Sequence, residues 1–203
     1  MLCEDDWAMS KRAILVTGTP CVGKTSVAQV LTAKLDALYV NLTELATRKS
    51  LISGRDEKRG SIIVDENRMR QKISEIIEES DKEDIVIDGH YAVDVVPKKL
   101  VAHVFVLRRD PIELRVFMER CGFSGRKLWE NLASEILDVC LVDALNVHGT
   151  GKVCELNVTG KSVERIVSEI LEIVDDPSKC CVGIVDWLGK LESEGLLEEY
   201  LKI

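Results

Sequence analysis

The sequence predicts an α/β fold in which a five-stranded parallel sheet is flanked by helices. Short apolar runs alternate with amphipathic stretches, a glycine-rich loop follows the first run, and an aspartate ends the third. Strands that alternate with helices are typical of βαβ units, whose parallel strands are buried on both faces. With 203 residues and 46% hydrophobic content, the chain is long enough to form one domain around one core.

The elements follow in order from their local patterns. We predict strands over residues 13–17, 37–40, 84–88, 101–107 and 152–158, and helices over 26–35, 42–49, 66–80, 112–120, 127–146, 162–174 and 192–201. Asn41 or Thr43, and later Asp65, are candidate N-caps, and Pro111 suits a first helical turn. Residues 50–61 are polar, contain two glycines and are predicted to form a loop.

The loop after the first strand matches the phosphate-binding pattern G-x-x-x-x-G-K-[ST] as Gly18-Thr19-Pro20-Cys21-Val22-Gly23-Lys24-Thr25. In such a P-loop, main-chain N–H groups hold phosphate oxygens, and the next helix presents the positive end of its dipole. Lys24 should reach the β- and γ-phosphates of ATP, and the Thr25 hydroxyl should bind Mg²⁺. The predicted ATP-binding residues of this segment are Gly18, Cys21, Gly23, Lys24, Thr25 and Ser26.

Asp88 ends an apolar strand and is expected at the carboxyl edge of the sheet, where open α/β sheets bind ligands. We interpret it as a second residue that holds Mg²⁺; the alternative is a carboxylate that caps the turn at Gly89. His90 could orient or activate a water near the γ-phosphate, although a histidine after a strand is often only structural.

Arginines border a second candidate region. Arg120 and Arg126 flank a break that contains Gly122 and Gly125, which suits a mobile lid over residues 120–127. Their guanidinium groups would stabilise charge on a transferring phosphoryl group, as could Arg108 after the fourth strand. The alternative is a helical turn with solvated arginines.

The chain is predicted to divide into three parts: an acidic, disordered extension over 1–10, a kinase domain over 11–178, and an apolar tail over 179–203 that docks on the domain. Met9 is an alternative native start. Within the domain, about residues 41–64 are expected to bind a nucleoside monophosphate or another acceptor. Three arginines lie there, although each could equally be a surface charge: Arg48, Arg55 and Arg59.

The seven cysteines contain no C-x-x-C pair, which disfavours a zinc ribbon or a thioredoxin-like site. Their odd number indicates reduced thiols in a cytosolic compartment. Cys21, beside Lys24 and a helix N-terminus, should be partly activated toward thiolate, which raises a redox-sensing hypothesis; the alternative is a tolerated small side chain.

A net charge of −8 disfavours stable nucleic-acid binding and is compatible with a basic protein partner. No run of 18 apolar residues occurs, so we expect no membrane span.

Several strings together resemble one family. They are Thr17-Gly18-Thr19-Pro20 with Val22-Gly23-Lys24-Thr25, Val64-Asp65-Glu66-Asn67-Arg68, Ile87-Asp88-Gly89-His90, Val104-Phe105-Val106-Leu107-Arg108, Gly122-Phe123, and Lys127-Leu128 with Asn131. Over about residues 12–190 the chain resembles the adenylate kinase isoenzyme 6 family of eukaryotes and archaea. The tail Val182-Gly183-Ile184-Val185-Asp186-Trp187 is similar to that of archaeal members.

The resemblance implies a P-loop NTPase fold of the nucleoside monophosphate kinase type, with ATP and Mg²⁺ as cofactors and the reaction ATP + AMP = 2 ADP. It also implies an ATPase used in late maturation of the small ribosomal subunit, with 16S rRNA processing and transient binding of a basic ribosomal protein of the platform. Asp88 and His90 match the family's D-x-H motif, linked to Mg²⁺ and hydrolysis, and Lys161 matches a lysine near the adenine.

Two positions depart from the family. Cys21 stands where glycine is usual, so the loop is mildly strained if that position needs a positive φ. Cys121 stands where an arginine normally precedes the lid glycine and contacts nucleotide. Either Arg120 or Arg126 could substitute; otherwise hydrolysis would survive with weak kinase activity.

Two function classes therefore stand together: a broad-specificity kinase, and an assembly factor in which the nucleotide state switches protein binding. A small-metabolite kinase of the shikimate type would favour Asp-x-Asp after the second strand, where this chain has Asn41-Leu42-Thr43.

Overall fold

We describe residues 11–56 and 61–201 of a computed structural model. Their strands are β1 (Arg12–Gly18), β2 (Leu38–Asn41), β3 (Ile52–Asp56), β4 (Ser61–Val64), β5 (Asp84–Asp88), β6 (Val101–Arg108) and β7 (Val153–Asn157). Their α-helices are α1 (Lys24–Leu35), α2 (Leu42–Arg48), α3 (Glu66–Glu79), α4 (Ala92–Val95), α5 (Pro111–Arg120), α6 (Gly125–Ile136), α7 (Val139–His148), α8 (Val163–Asp175), α9 (Trp187–Ser193) and α10 (Leu197–Tyr200). A 3₁₀ turn spans Pro177–Lys179.

The main sheet is parallel and has the strand order β2-β5-β1-β6-β7, which confirms the predicted five-stranded architecture. Because the strands are parallel, the ends of β1, β5 and β6 share one edge. Residue Val16 of β1 lies beside Asp88 of β5 on one side and beside Phe105 of β6 on the other. The P-loop and Asp88 therefore leave the sheet side by side.

Two hydrophobic clusters cover the two faces of this sheet. Ile14 and Val16 pack into the first cluster with α1, α5, α6 and α8, whereas Ala13 and Leu15 pack into the second with α2, α3, α4 and α7. Side chains of successive strand residues point to opposite faces, so an uninterrupted apolar run supplies both clusters. The burial of β1 explains its sequence pattern.

Strand β3 lies within the loop predicted over residues 50–61 and pairs with β4 as a two-stranded antiparallel ribbon; residues 57–60 lie outside the described part of the chain. Ile52 lies opposite Val64, and Gly54 lies opposite Ile63. The prediction was wrong because a short ribbon outside the main sheet does not need the apolar alternation of a buried strand. Arg59 lies outside the described residues.

The single helix predicted over 127–146 is also wrong. Helix α6 ends at Ile136 and α7 begins at Val139, with Asp138 between them at φ 58°. A left-handed residue interrupts a right-handed helix, and aspartate adopts this conformation more readily than most residues. The predicted terminal helix is divided in the same way, at Gly195 with φ 69° between α9 and α10.

Asn41 and Asp65 are confirmed as N-caps, since their side chains accept hydrogen bonds from the N–H groups of Glu44 and Arg68. Over residues 11–56 and 61–201, no helix combines the length and the apolar composition needed to cross a bilayer.

The C-terminal segment, which we define as residues 179–201, lies along β7 and the first hydrophobic cluster. A disulfide joins Cys154 of β7 to Cys180, which corrects the expectation that all cysteines are reduced. Beyond it, Glu155 donates its N–H to the carbonyl of Cys181 (2.8 Å). Trp187 and Leu191 of α9 are buried.

Candidate functional site

The P-loop connects β1 to α1 and curves around a cavity of about 180 Å³. The cavity is lined by Cys21, Gly23, Lys24, Thr25 and Ser26. Gly18 has φ 134°, and a Cβ there would lie 2.5 Å from the carbonyl oxygen of Leu107, so only glycine fits between β1 and β6. The loop thus has the form of a main-chain cradle at the N-terminus of a helix, which suits an anion.

Cys21 has φ 63°, which is the left-handed conformation that glycine adopts without strain. Burial and a hydrogen bond to Cys121 raise the pKa of the Cys21 thiol to about 12, although the Lys24 ammonium opposes this shift. The expected activation toward thiolate is therefore wrong. Loss of solvation outweighs the attraction of one nearby cation.

Lys24 is folded onto its own loop. Its ammonium donates to the carbonyl oxygens of Gly18 and Thr19, both at 2.9 Å. Burial lowers the pKa of Lys24, and the neighbouring carboxylate of Asp88 offsets part of that effect. A cation held by two neutral carbonyls at the mouth of a phosphate cradle can exchange these partners for phosphate oxygens.

Asp88 is 2% exposed and collects three hydrogen bonds on Oδ2. They come from the Thr25 hydroxyl (2.7 Å), the Asn41 amide (2.9 Å) and the Tyr39 hydroxyl (3.1 Å). Burial raises the pKa of Tyr39, and Asp88 raises it further, so the phenol stays protonated as a donor. Hydroxyl and carboxylate oxygens at one point form a donor set that fits Mg²⁺.

His90 lies two residues after Asp88, at the same edge of the sheet. Its carbonyl accepts from the Thr17 hydroxyl at 3.3 Å, which ties the segment to β1. Desolvation by the surrounding protein, together with the Lys24 ammonium, lowers the pKa of the imidazole to about 4. The ring is therefore neutral near pH 7 and can accept a proton or a hydrogen bond.

The predicted lid lies between α5 and α6. The thiol of Cys121 forms a hydrogen bond with the thiol of Cys21 and so lies against the P-loop. Among the described residues, no hydrogen bond or ion pair joins Arg120 or Arg126 to that loop. Arg126 is 86% exposed and pairs with Glu130 at 2.7 Å. Arg120 is exposed and has no hydrogen bond or ion pair within the described part of the chain.

Arg108 is not available for phosphate. It is 1% exposed and binds Glu135 (2.9 Å), Glu155 (2.7 Å) and Asp138 (2.5 Å). Burial alone would lower the pKa of Arg108, but the charges of Glu135 and Asp138 raise it above its ordinary value. The role suggested for this arginine in phosphoryl transfer is wrong, because three carboxylates already occupy its guanidinium group.

Lys161 follows β7 at the carboxyl edge of the sheet, where its ammonium pairs with Glu169 at 2.8 Å. A second cavity, of about 340 Å³, lies beside β2 and α2. Its lining residues are Leu38, Tyr39, Val40, Asn41, Glu44, Leu45, Arg48, Lys49 and Ile76. Arg48 pairs there with Glu44 at 3.1 Å, and Tyr39 and Asn41 join this cavity to Asp88.

Sequence reasoning missed Tyr39, Asn41 and Glu135. Asn41 was predicted only as an N-cap, but its side chain has a second role. Its Oδ1 accepts from the N–H of Glu44, which caps α2, and its Nδ2 donates to Asp88 in the site. Glu135 accepts a 2.5 Å hydrogen bond from the Thr19 hydroxyl of the P-loop. The sequence could have indicated that Glu135 is buried, since it lies on the apolar face of an amphipathic helix with Leu132 and Ile136.

The chain is similar to several known proteins. A family model described as an AAA domain matches residues 14–138. The "Putative adenylate kinase" of Methanocaldococcus jannaschii is 36% identical over 87% of this chain and 93% of its own length. The protein of the same name from Pyrococcus furiosus is 37% identical over 86% of this chain and 90% of its own length.

Solved structures show the fold at low sequence identity. A shikimate kinase from Acinetobacter baumannii has a TM-score of 0.60 and 16% identity over 83% of this chain and 96% of that one. A gluconokinase from Sinorhizobium meliloti has a TM-score of 0.54 and 14% identity over 84% of this chain and 95% of that one.

Proposed function

This chain belongs to the AAA-domain family and to the group of archaeal proteins named "Putative adenylate kinase", and from that membership we propose that it is a Mg²⁺–ATP-dependent nucleoside monophosphate kinase. Its reaction would be ATP + AMP = 2 ADP, with AMP or another nucleoside monophosphate as acceptor. The observation that carries the proposal is the contact of Thr25 with Asp88 beside the P-loop cavity and Lys24.

Each residue has a role that follows from its position. Main-chain N–H groups of the loop and the N-terminus of α1 would hold the phosphates, and Lys24 would exchange two carbonyl oxygens for the β- and γ-phosphate oxygens. Thr25 and Asp88 would hold Mg²⁺, which neutralises phosphate charge when bound. Asn41 and Tyr39 would keep the Asp88 carboxylate in place.

The acceptor would enter the second cavity, beside β2 and α2. The cavity there adjoins Asp88 through Tyr39 and Asn41, and Arg48 at its rim would leave Glu44 to bind an acceptor phosphate. We assign residues 41–64 to this acceptor region and residues 120–127 to the lid. Lys161 would contact the adenine end of ATP, as the resemblance to the isoenzyme 6 family implies.

We also propose an ATPase activity that acts in late maturation of the small ribosomal subunit and in 16S rRNA processing, in the cytoplasm. The resemblance to the isoenzyme 6 family supports this role. A net charge of −8 suits transient binding of a basic ribosomal protein of the platform. The neutral imidazole of His90 suits a residue that orients the attacking water.

A second candidate is a nucleotide-switched assembly factor with little kinase activity. The lid favours it, because a cysteine, Cys121, contacts the P-loop while Arg126 is exposed and paired with Glu130. An arginine over the transferring phosphoryl group normally contributes a large factor to its transfer. Without one, hydrolysis would continue while transfer to AMP is slow.

One assay separates the two candidates. ADP formation from Mg²⁺–ATP is measured alone, with AMP, CMP, UMP or GMP, with shikimate as a control acceptor, and with the purified platform protein. A kinase gives strong stimulation by at least one monophosphate. An assembly factor gives stimulation by the protein alone. No nucleotide turnover under any condition, together with no nucleotide binding by calorimetry, would contradict both.

A further inference from the structure

Glu135 is a buried carboxylate that no step of the proposed reaction uses. Its Oε2 accepts from the Thr19 hydroxyl at 2.5 Å. Its Oε1 accepts from Arg108 Nε (2.9 Å), from the main-chain N–H of Arg109 (3.1 Å) and from the indole Nε1 of Trp187 (3.1 Å). Glu135 and Thr19 are each 1% exposed. A buried carboxylate with four donors has a fixed position, because leaving any donor unpaired is costly.

We propose that Glu135 is a positioning residue for the P-loop, and that Trp187 completes its hydrogen bonds, so that the C-terminal segment sets the affinity for nucleotide. The inference rests on the proposed nucleotide binding at the P-loop. Under this proposal Trp187, which is distant from the P-loop in the sequence, affects the loop through its hydrogen bond to Glu135.

Thr19 connects Glu135 to the groups that would bind phosphate. Its side chain is held by Glu135, and its carbonyl accepts from Lys24 Nζ (2.9 Å) and from the N–H of Val22 (3.3 Å). A displacement of Thr19 would therefore move both the ammonium and the loop main chain. Small displacements of groups that position a phosphate have large effects on binding and turnover.

Glu135 is itself held on its other side. Arg108 Nη2 donates to the main-chain carbonyl of Glu135 at 2.8 Å, in addition to the Nε bond to the carboxylate. Arg109, next in the chain, donates through Nε to the carbonyl of Val22 at 3.2 Å. The end of β6 thus contacts the loop directly and through Glu135.

The C-terminal segment donates two hydrogen bonds to the buried carboxylates that bind Arg108. Trp187 donates to Glu135, and the N–H of Ile184 donates to Glu155 at 2.8 Å, the carboxylate that binds Arg108. Trp187 is 7% exposed, so its indole is packed as well as bonded. Replacing the indole by a phenyl ring removes one donor but leaves Oε1 of Glu135 with two others, so the fold should persist.

The test compares four variants by calorimetric titration with Mg²⁺–ADP. Trp187→Phe removes the indole donor, Thr19→Val removes the hydroxyl, and Thr19→Ser keeps it. Tyr200→Phe is the matched control, because Tyr200 lies in the same C-terminal segment and its hydroxyl interacts with Arg115 of α5 instead of Glu135. Thermal unfolding of each variant, followed by circular dichroism, shows that it is folded at the titration temperature.

We expect Trp187→Phe and Thr19→Val each to weaken binding about 3- to 10-fold, the factor that corresponds to the net contribution of one ordinary hydrogen bond. Thr19→Ser, which keeps the hydroxyl, should bind more tightly than Thr19→Val, and Tyr200→Phe should bind as the unaltered protein does. In a Thr19→Val background, Trp187→Phe should weaken binding less, because the hydrogen bond that connects Glu135 to the loop is already absent.

The inference is overturned if Trp187→Phe binds Mg²⁺–ADP like Tyr200→Phe, or if the effects of Thr19→Val and Trp187→Phe multiply independently. If Thr19→Val does not fold, the comparison of Trp187→Phe with Tyr200→Phe decides alone. Failure of the unaltered protein to bind Mg²⁺–ADP would instead contradict the proposed function, so the two failures are distinct.

Discussion

The hydroxyl of Thr25, the last residue of the P-loop, donates a 2.7 Å hydrogen bond to Oδ2 of Asp88 at the end of β5. The two residues are 63 positions apart, and the parallel pairing of β1 with β5 brings them together. Their oxygens meet beside the ammonium of Lys24, whose pKa responds to Asp88. A phosphate cradle, a cation and a pair of hard oxygen ligands therefore lie at one place.

Asp88→Asn should raise the Mg²⁺ concentration for half-maximal ADP formation by on the order of tenfold, because an amide is a weaker ligand for a hard cation than a carboxylate. Titration of activity with Mg²⁺ at saturating ATP measures this. Asp84→Asn, at the other end of β5 and paired with Arg12, is the control and should leave the curve unchanged. If the Mg²⁺ titration curves of the two variants coincide, Asp88 is not a Mg²⁺ ligand.

Lys24→Ala should lower turnover by on the order of 10²–10³, about 3–4 kcal/mol, as expected for one electrostatic contact to the transition state. Initial rates of ADP formation measure it. Lys34→Ala, an exposed lysine in the last turn of the same helix, should have no effect. A Lys24→Ala rate within twofold of the unaltered protein would contradict a phosphate-binding role.

His90→Ala should reduce ATP hydrolysis more than transfer to AMP, because a neutral imidazole can orient water but is not needed when the acceptor is held in its own cavity. ADP formation is compared with and without AMP. His103→Ala is the control, since that histidine lies in β6 and stacks against Phe105. Equal loss of both activities in His90→Ala would argue against positioning of water.

Cys21 should react with iodoacetamide at pH 7.5 at least about a hundredfold more slowly than exposed Cys121, because its raised pKa of about 12 leaves little thiolate. The Cys21 rate should rise about tenfold per pH unit up to that pKa. Peptide mapping by mass spectrometry assigns each rate. In denaturant the two thiols should react alike; similar rates in the folded protein would refute the shift.

Arg108→Met should lower the free energy of unfolding by about 3–5 kcal/mol, since it leaves the buried carboxylates of Glu135 and Glu155 without their cation. Urea unfolding followed by circular dichroism measures the change. Arg126→Met, at an 86% exposed arginine, should change stability by less than about 0.5 kcal/mol. Equal effects at the two sites would show that the buried cluster contributes little.

The sheet and the P-loop were predictable because their signals are local. An apolar run such as 13–17 indicates a buried strand by itself, and the P-loop pattern identifies Gly18, Gly23, Lys24 and Thr25 by their spacing. Asp88 followed from the rule that ligands bind at the carboxyl edge, and its contact with Thr25 agrees with that rule.

The features that sequence reasoning missed depend on contacts between distant residues. Arg108 was expected at the phosphates because its partners, Glu135 and Glu155, are separated from it by 27 and 47 positions. Each of those glutamates stands within an apolar stretch, which is the one local sign of a buried charge. The break at Asp138 had no sign of this kind, because only its φ of 58° separates α6 from α7.

The contact between Thr19 and Trp187 through Glu135 has a consequence for biosynthesis. Translation begins at the N-terminus, so the P-loop emerges from the ribosome long before the indole that completes its surroundings. A nascent chain that has not yet reached Trp187 carries the whole motif but lacks one of the donors that hold it. The P-loop should therefore reach its full affinity for nucleotide only after the C-terminal segment has been synthesised.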